Sequence, residues 1–299
     1  MDWKRIPLES IVTKKVIYFD EGKKTICKRI CDILMIDCFP DLHENKYWIF
    51  QKKWESKDIN YSDLLYSITD AFDLQLKDLF AKNASNIIFT SNGYRIDGVI
   101  HFTNYESREV FITLYHNFHV FERNLRLLLR MLGYNVNSFL KYFDFKKRGS
   151  KKEDDVKFWN QKIKRIKGEE LEGLKPFETV EFSDLLNFAV SSIHTPEELM
   201  EIGLKDGIRN FKLNNIVILR NTIMHSRVIS GENIYLPHSF EKFEEFFNSV
   251  VNFKKLFMIL SNRISILSAG NISQQNKALL DMIDSMDDQA INNYFYSNF

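Results

Sequence analysis

The sequence has few of the residues that interrupt or cross-link a chain. Its 5 prolines and 11 glycines are scattered over 299 residues, so no stretch has the composition of a flexible interdomain linker. The 3 cysteines, Cys27, Cys31 and Cys38, cannot close a disulfide framework. No second Cys/His pair stands near them to complete a zinc site, so buried free thiols in a reducing cytosol are expected. Residues 1–10 (MDWKRIPLES) lack the basic-then-apolar run of a signal peptide. No stretch approaches the ~20 apolar residues that span a bilayer. The expectation is a cytoplasmic chain with no membrane partner. Neither sign of charge dominates: 41 basic residues face 40 acidic ones, a net charge of +1. A globally basic nucleic-acid coat is therefore excluded, and any attraction for a polyanion must be local.

What the chain does have is rings. Aromatic residues make up 14% of it, led by 26 phenylalanines, and hydrophobic residues reach 44%. That is enough apolar material to exclude wholesale disorder and to build cores around aromatic side chains. The pattern changes near residue 110. Residues 1–110 read as mixed α/β. Within 86–102, two β-rich runs flank Asn92-Gly93, a pair that tolerates the positive φ values of a type I′ turn, which predicts a tight hairpin. Residues 61–80 carry apolar positions at helical spacing, and 11–36 read as a strand (IVTKKVIYF) followed by a helix (TICKRICDILMI).

From residue 107 onward the signal is helical. Leu114, Phe118, Phe121, Leu125, Leu128 and Leu132 form one continuous stripe that ends at Gly133. Thr195-Pro196-Glu197-Glu198 reads as a helix start. Further helices are expected over about 213–227, 239–267 and 273–296. The predicted fold class is α+β, with a mixed α/β domain over 1–110 and an all-helical domain over 111–299.

Charge is concentrated in one place. Residues 146–167 hold 10 Lys/Arg and 3 Asp/Glu. This is either a solvated helix-loop-helix surface or an anion-attracting rim beside a nucleic-acid site, in which Lys162, Lys164 and Arg165 would meet RNA together with Arg126 and Arg227. The last expected helix is acidic, with Asp281, Asp284, Asp287 and Asp288.

The candidate chemistry lies in 215–230 (NIVILRNTIMHSRVIS). Arg220 and His225 interrupt an apolar run, and Asn221 follows the arginine. With 13 Arg and 7 His, a bare Arg-x4-His spacing arises by chance roughly 0.3 times. The context of Ile216, Val217, Ile218, Leu219, Ile223 and Met224 adds weight, because polar groups are costly inside a greasy helix unless paired or used. On a helix Asn221 and His225 share a face, and the long Arg220 side chain can reach the same pocket. A guanidinium matches two phosphate oxygens and can stabilise charge on a pentavalent phosphorus. Imidazole titrates near neutrality and can take a proton from a ribose 2′-OH or give one to the leaving oxygen. That scheme needs no metal or other cofactor.

Tyr115, His119, Glu122 and Arg126 form a polar seam on the first long helix. Glu122 and Arg126 form either a surface ion pair or part of a face turned toward Arg220, where Glu122 could orient Arg220 or His225 or pair with Arg220 structurally. His116 and His119, three apart, have no evident partners for a metal.

The segment ILRNTIMH (218–225) resembles the signature of HEPN domains (higher eukaryotes and prokaryotes nucleotide-binding): an arginine, a polar residue, a few others, then histidine. The helix containing FERNLRLLLR resembles the first helix of many such domains, which often bears a glutamate, and the likeness covers roughly 111–299. It implies a metal-independent endoribonuclease, commonly a toxin or an abortive-infection effector against phage, with a composite site formed between two protomers of a homodimer. Arg220, Asn221 and His225 match the motif as catalytic residues, and Glu122 matches by its place in the helix. Toxins of this family that are silenced by a nucleotidyltransferase usually carry a tyrosine two residues after the histidine. Arg227 stands there in this chain, against that style of neutralisation.

Residues 87–105 (IIFTSNGYRIDGVIHFTNY) resemble the paired strands and following turn of a CBS (cystathionine-β-synthase-type) repeat, with remnants of a second over 11–50. That resemblance implies a sensory or dimerising front domain and an adenine nucleotide as its ligand. The threonine and aspartate that contact ribose in many CBS pairs fall here on His101 and Asn104, so a scaffold role is the alternative. The competing reading of the whole chain is a non-catalytic HEPN/CBS regulatory protein that binds a nucleotide or a partner.

Overall fold

The computed structural model describes residues 2–34, 38–59, 70–82, 87–91, 96–171, 176–192, 213–225 and 240–284. Within them the chain is α+β: small antiparallel sheets lie near the amino terminus and helices follow. The elements in order are α1 (Lys24–Leu34), β1 (Cys38–Pro40), β2 (Lys46–Phe50), β3 (Trp54–Asp58), α2 (Leu74–Lys82), β4 (Ile87–Ser91) and β5 (Ile96–His101). Then come α3 (Arg108–Met131), α4 (Val136–Gly149), α5 (Glu153–Leu171), α6 (Pro176–Thr179), α7 (Phe182–Ser192), α8 (Leu213–His225) and α9 (Phe240–Asp284). Contacts divide the chain into two compact units. One comprises Met1–Asp2, Val120–Phe211 and Lys255–Phe299; the other comprises Trp3–His119 and Lys212–Lys254. The second unit carries both sheets, and α8 with the start of α9 falls within it.

In the sheet-bearing unit, β4 and β5 pair antiparallel with Ile88 opposite Ile100 and Phe89 opposite Val99, as the β-rich runs of the sequence predict. The pairing slips between Thr90 and Ser91, a bulge that adds local twist. The expected type I′ turn at Asn92-Gly93 lies outside the described residues. A second sheet, β1-β2-β3, has no counterpart in the sequence reading. Asp41 starts its first turn: Oδ1 accepts from the backbone N–H groups of His43 (2.9 Å) and Glu44 (3.1 Å), and Oδ2 accepts from Trp48 Nε1 (2.9 Å). Such an Asx turn reverses the chain without needing a glycine. Burial alone would raise the Asp41 carboxyl, but the Trp48 and backbone bonds, helped by Lys46, hold it below the usual carboxylate range.

Two expected elements differ. Residues 11–19 form no strand: Thr13 bridges to Val99, and Phe19 N–H donates to Pro40 O at 2.9 Å. Thr13, Lys14 and Lys15 are all exposed in succession, so the segment lacks the unbroken inward face of a sheet strand. The expected helix over 61–80 begins only at Leu74 among the described residues. Asp70 bridges to Pro7 and accepts from Phe72 N–H at 3.0 Å, and Asp73 accepts from Gln75 N–H at 2.9 Å. These local bonds favour a turn and then a helix cap over a longer helix.

The core of this unit is aromatic. Tyr105 packs on Phe243 (4.9 Å between ring centroids) and Phe72 (5.3 Å), and Phe118 stacks on Phe253 at 3.8 Å. The fully buried Tyr105 hydroxyl donates to Ala71 O at 2.6 Å. Burial, then the nearby Asp70 and Asp73 carboxylates, push its pKa well up, so it remains a donor. Asn117, also fully buried, exchanges two hydrogen bonds with the backbone of Lys4, at 3.0 and 2.9 Å. An amide suits this place because it copies a peptide group's donor and acceptor.

Every element of the other unit among the described residues is a helix. The stripe on α3, whose residues fall in both units, is buried at Leu114, Phe118, Phe121, Leu125 and Leu128. The helix stops as expected at Gly133, whose φ of +82° allows Gly133 N–H to reach Arg130 O and Tyr134 N–H to reach Leu129 O, both at 2.9 Å. Phe188 of α7 packs on Phe139 of α4 at 4.0 Å, and Phe143 stacks on Trp159 of α5. The helices expected over 239–267 and 273–296 form one helix, α9, at least to Asp284. The small polar run Ser268-Ala269-Gly270-Asn271 continues the helix instead of breaking it. A single glycine costs only about 1 kcal/mol against alanine, too little to end a long helix. The expected helix start at Thr195-Pro196 lies outside the described residues.

Candidate active site

α8 carries the Arg-Asn-x3-His segment. Its anchor is a narrow stripe: Ile216, Leu219 and Ile223, spaced three and four apart, are all buried to within 1%. The rest of the apolar run is not. Ile218 is 37% exposed, and Val217 and Met224 are half-buried. The polar residues therefore do not interrupt a fully buried helix, as the run of isoleucines suggests. Asn221 is exposed and Arg220 is half-buried at the edge of the anchored stripe. A helix turns 100° per residue, so a continuous apolar run must place some of its members in water unless partners surround it.

Arg220 and Asn221 do come together. Arg220 Nη1 donates to Asn221 Oδ1 at 3.2 Å, which fixes one edge of the guanidinium beside an exposed amide. Thr222 turns its hydroxyl back to Ile218 O at 3.0 Å. His225 is the last residue of α8, four positions beyond Asn221; its side chain, like all of Arg227, lies outside the described residues.

Glu122, Arg126, Lys162, Lys164 and Arg165 lie in the helical unit. Glu122 and Arg126 form the i,i+4 pair expected from the sequence, with Arg126 buried and Glu122 half-buried. Arg126 Nη2 lies 2.8 Å from Glu122 Oε1 and donates to Val180 O at 2.8 Å, with the Arg126 side chain 9% exposed. Farther up the same seam Tyr115 and His119 are exposed, as is His116. Among the described residues, no group of three or more His, Cys, Asp or Glu side chains is placed to hold a metal ion.

The basic segment is a helix-loop-helix, the end of α4 and most of α5. Its members have different surroundings. Lys162 is buried with its ammonium on Asp184 and on Glu181 (3.2 Å), and Arg165 pairs with Glu181 at 2.9 Å. Lys162 also lies over the Phe158 ring, 4.6 Å from its centroid. Burial pushes the Asp184 carboxyl up despite the Lys162 bond. Glu181, less enclosed, is held low: burial would raise it, but Arg165 and Lys162 outweigh that. Lys164, by contrast, is exposed, and so are Lys151, Lys152 and Lys167, none with an ion-pair partner among the described residues. The sequence window conceals this sorting because the neutralising carboxylates, Glu181 and Asp184, stand well beyond its end.

At the positions matching the CBS ribose contacts, the side chains cap a short helical turn (Phe102–Glu106). His101 Nδ1 lies 2.8 Å from Thr103 Oγ1, His101 N–H donates to Asn104 Oδ1 at 2.6 Å, and Asn104 Nδ2 donates to Thr13 Oγ1 at 3.1 Å. Cys27, Cys31 and Cys38 are buried free thiols. No helix among the described residues is long and apolar enough to cross a membrane. No family model, curated protein or solved structure matches the chain.

Proposed function

We propose that the protein is a metal-independent endoribonuclease of the HEPN type, acting in the cytoplasm as a toxin or abortive-infection effector. The observation that carries this reading is the pairing on α8: a guanidinium half-buried at the edge of the anchored stripe and bonded at 3.2 Å to an exposed amide on the face opposite that stripe, with a histidine one turn further on. Arg220 would grip two oxygens of the scissile phosphate and stabilise the charge that grows there. Asn221 holds the guanidinium edge and offers its amide N–H groups to the same phosphate. His225 would remove the 2′-OH proton as the oxygen attacks phosphorus and return a proton to the departing 5′ oxygen. Because Asn221 is exposed, this site opens to solvent on one side; a second protomer closing over it would make the composite site of a homodimer. Glu122 enters this proposal only as the group that holds Arg126, and residues 1–110 as a CBS-like sensory or dimerising front domain with an adenine nucleotide as the ligand to try.

The test is incubation of the full chain with total RNA and tRNA in EDTA, beside His225→Ala and Arg220→Lys. Cleavage by the native chain should fall roughly 10²–10⁴-fold in His225→Ala. Arg220→Lys should lose most of the rate although charge is kept, since an ammonium lacks the paired donors. Intact RNA in every arm, with no growth defect on expression, overturns the nuclease reading.

A further inference from the structure

The segment leading into α1 is pinned at three places. Thr13 exchanges both backbone hydrogen bonds with Val99 (2.9 and 3.0 Å), the Tyr18 hydroxyl donates to Ile96 O at 2.7 Å, and Phe19 N–H donates to Pro40 O at 2.9 Å. Between the first and last of these pins the chain passes from the β4–β5 hairpin to the β1–β3 sheet without joining either ladder. The space it leaves is a cavity of about 180 Å³ within the sheet-bearing unit. Val16, Ile17, Phe39, Ile87, Phe89 and Val99 supply most of the wall, with Cys38 beside them and Lys15 at the edge.

Three properties define what fits. The volume suits one six-membered ring: an engineered apolar cavity of about 150 Å³ holds benzene. The wall is apolar and includes Phe89, clustered with Ile87, Val99 and Cys38, and an aromatic wall favours a flat aromatic partner. The one charged residue of the lining, Lys15, is exposed and has no ion-pair partner among the described residues. We propose that this cavity binds a small aromatic monocarboxylate, its ring against Phe89 and Val99 and its carboxylate on the Lys15 ammonium. A nucleotide suits it poorly, since base and ribose together exceed one ring's volume and a phosphate would find a single cation.

The experiment uses the full chain with benzoate, toluene, acetate and AMP as probes, and neither readout involves RNA. The first is the thermal midpoint; the second is the rate of Cys38 alkylation by N-ethylmaleimide, mapped by peptide mass. Benzoate should raise the midpoint where acetate at equal concentration does not, and should slow alkylation at Cys38 several-fold while leaving Cys27 and Cys31 unchanged. Lys15→Ala, a surface change that leaves the fold intact, should weaken benzoate about three- to fivefold and leave toluene unaffected. Val16→Phe, which fills the cavity, should abolish both. Equal effects of benzoate and acetate, equal protection of all three cysteines, an unchanged benzoate affinity in Lys15→Ala, or displacement of benzoate by AMP would each overturn the assignment.

Discussion

Arg126 Nη2 sits 2.8 Å from Glu122 Oε1 and 2.8 Å from Val180 O, so one guanidinium ties two turns of α3 to the chain entering α7. Removing one member of a partly buried pair weakens the hold on the other. Glu122→Ala and Arg126→Ala should each lower unfolding stability by about 1.5–3 kcal/mol, and the double variant should lose less than the sum of the two. Urea unfolding of the four proteins measures this coupling. If Glu122→Ala instead stays fully stable while losing RNA cleavage, the residue acts in the site and not in the fold.

The sorting of the basic segment makes a second prediction. Lys164→Glu with Lys167→Glu should weaken RNA binding and flatten its salt dependence, because each exposed lysine that meets a phosphate releases a counterion. Lys162→Ala should leave the salt slope alone and destabilise the protein, because Asp184 loses its partner. Filter binding from low to moderate salt, with a melting curve on each variant, separates the two effects. An unchanged slope in the Lys164/Lys167 variant removes RNA contact from this surface.

Gly98 faces Thr90 across the hairpin, and Val12 crowds the same place. A Cβ there would lie 2.5 Å from Val12 Cγ1 and nearer still to Thr90 Oγ1. Both neighbours are β-branched and stiff about χ1. Gly98→Ala should therefore cost about 1–3 kcal/mol, read as a lower urea midpoint. Combining it with Val12→Ala should recover part of the loss.

The Asp41 carboxyl, held low mainly by Trp48 and two backbone donors against the opposing effect of burial, sets a pH dependence. Its pKa is lower in the folded chain than in the unfolded one, so the unfolded chain binds the extra proton. The stabilisation is complete above the usual carboxylate range and disappears as pH falls through the depressed folded value. Asp41→Asn should be less stable than the native chain at neutral pH, and the gap should narrow on acidification. Tryptophan emission during urea unfolding at a series of pH values reads the difference, and a constant gap would refute the assignment.

Periodicity made several elements legible in advance. The α3 stripe, its Gly133 stop, the β4–β5 pairing and the existence of α8 all follow from spacings within one window, where each residue's neighbours are its own sequence neighbours. The β1–β3 sheet was not legible, because strands of three to five residues carry too few alternations and their first turn depends on one Asp41 side chain. The candidate site was legible as a motif but not as an environment. The order Arg220, Asn221, His225 can be read directly, whereas the exposure of Asn221 and Ile218 cannot.

By itself, then, the sequence determined which segments coil, where α3 ends, and which polar groups share a helix, since those depend on forces acting over a few residues. Tertiary structure alone decided that Lys162 is neutralised while Lys164 remains in water, that Arg126 reaches Val180, and that residues 13–19 leave a cavity instead of completing a sheet. The physical reason is range. Burial and ion pairing are settled by groups such as Asp184, Val180 and Val99, which lie far along the chain and approach only when it folds.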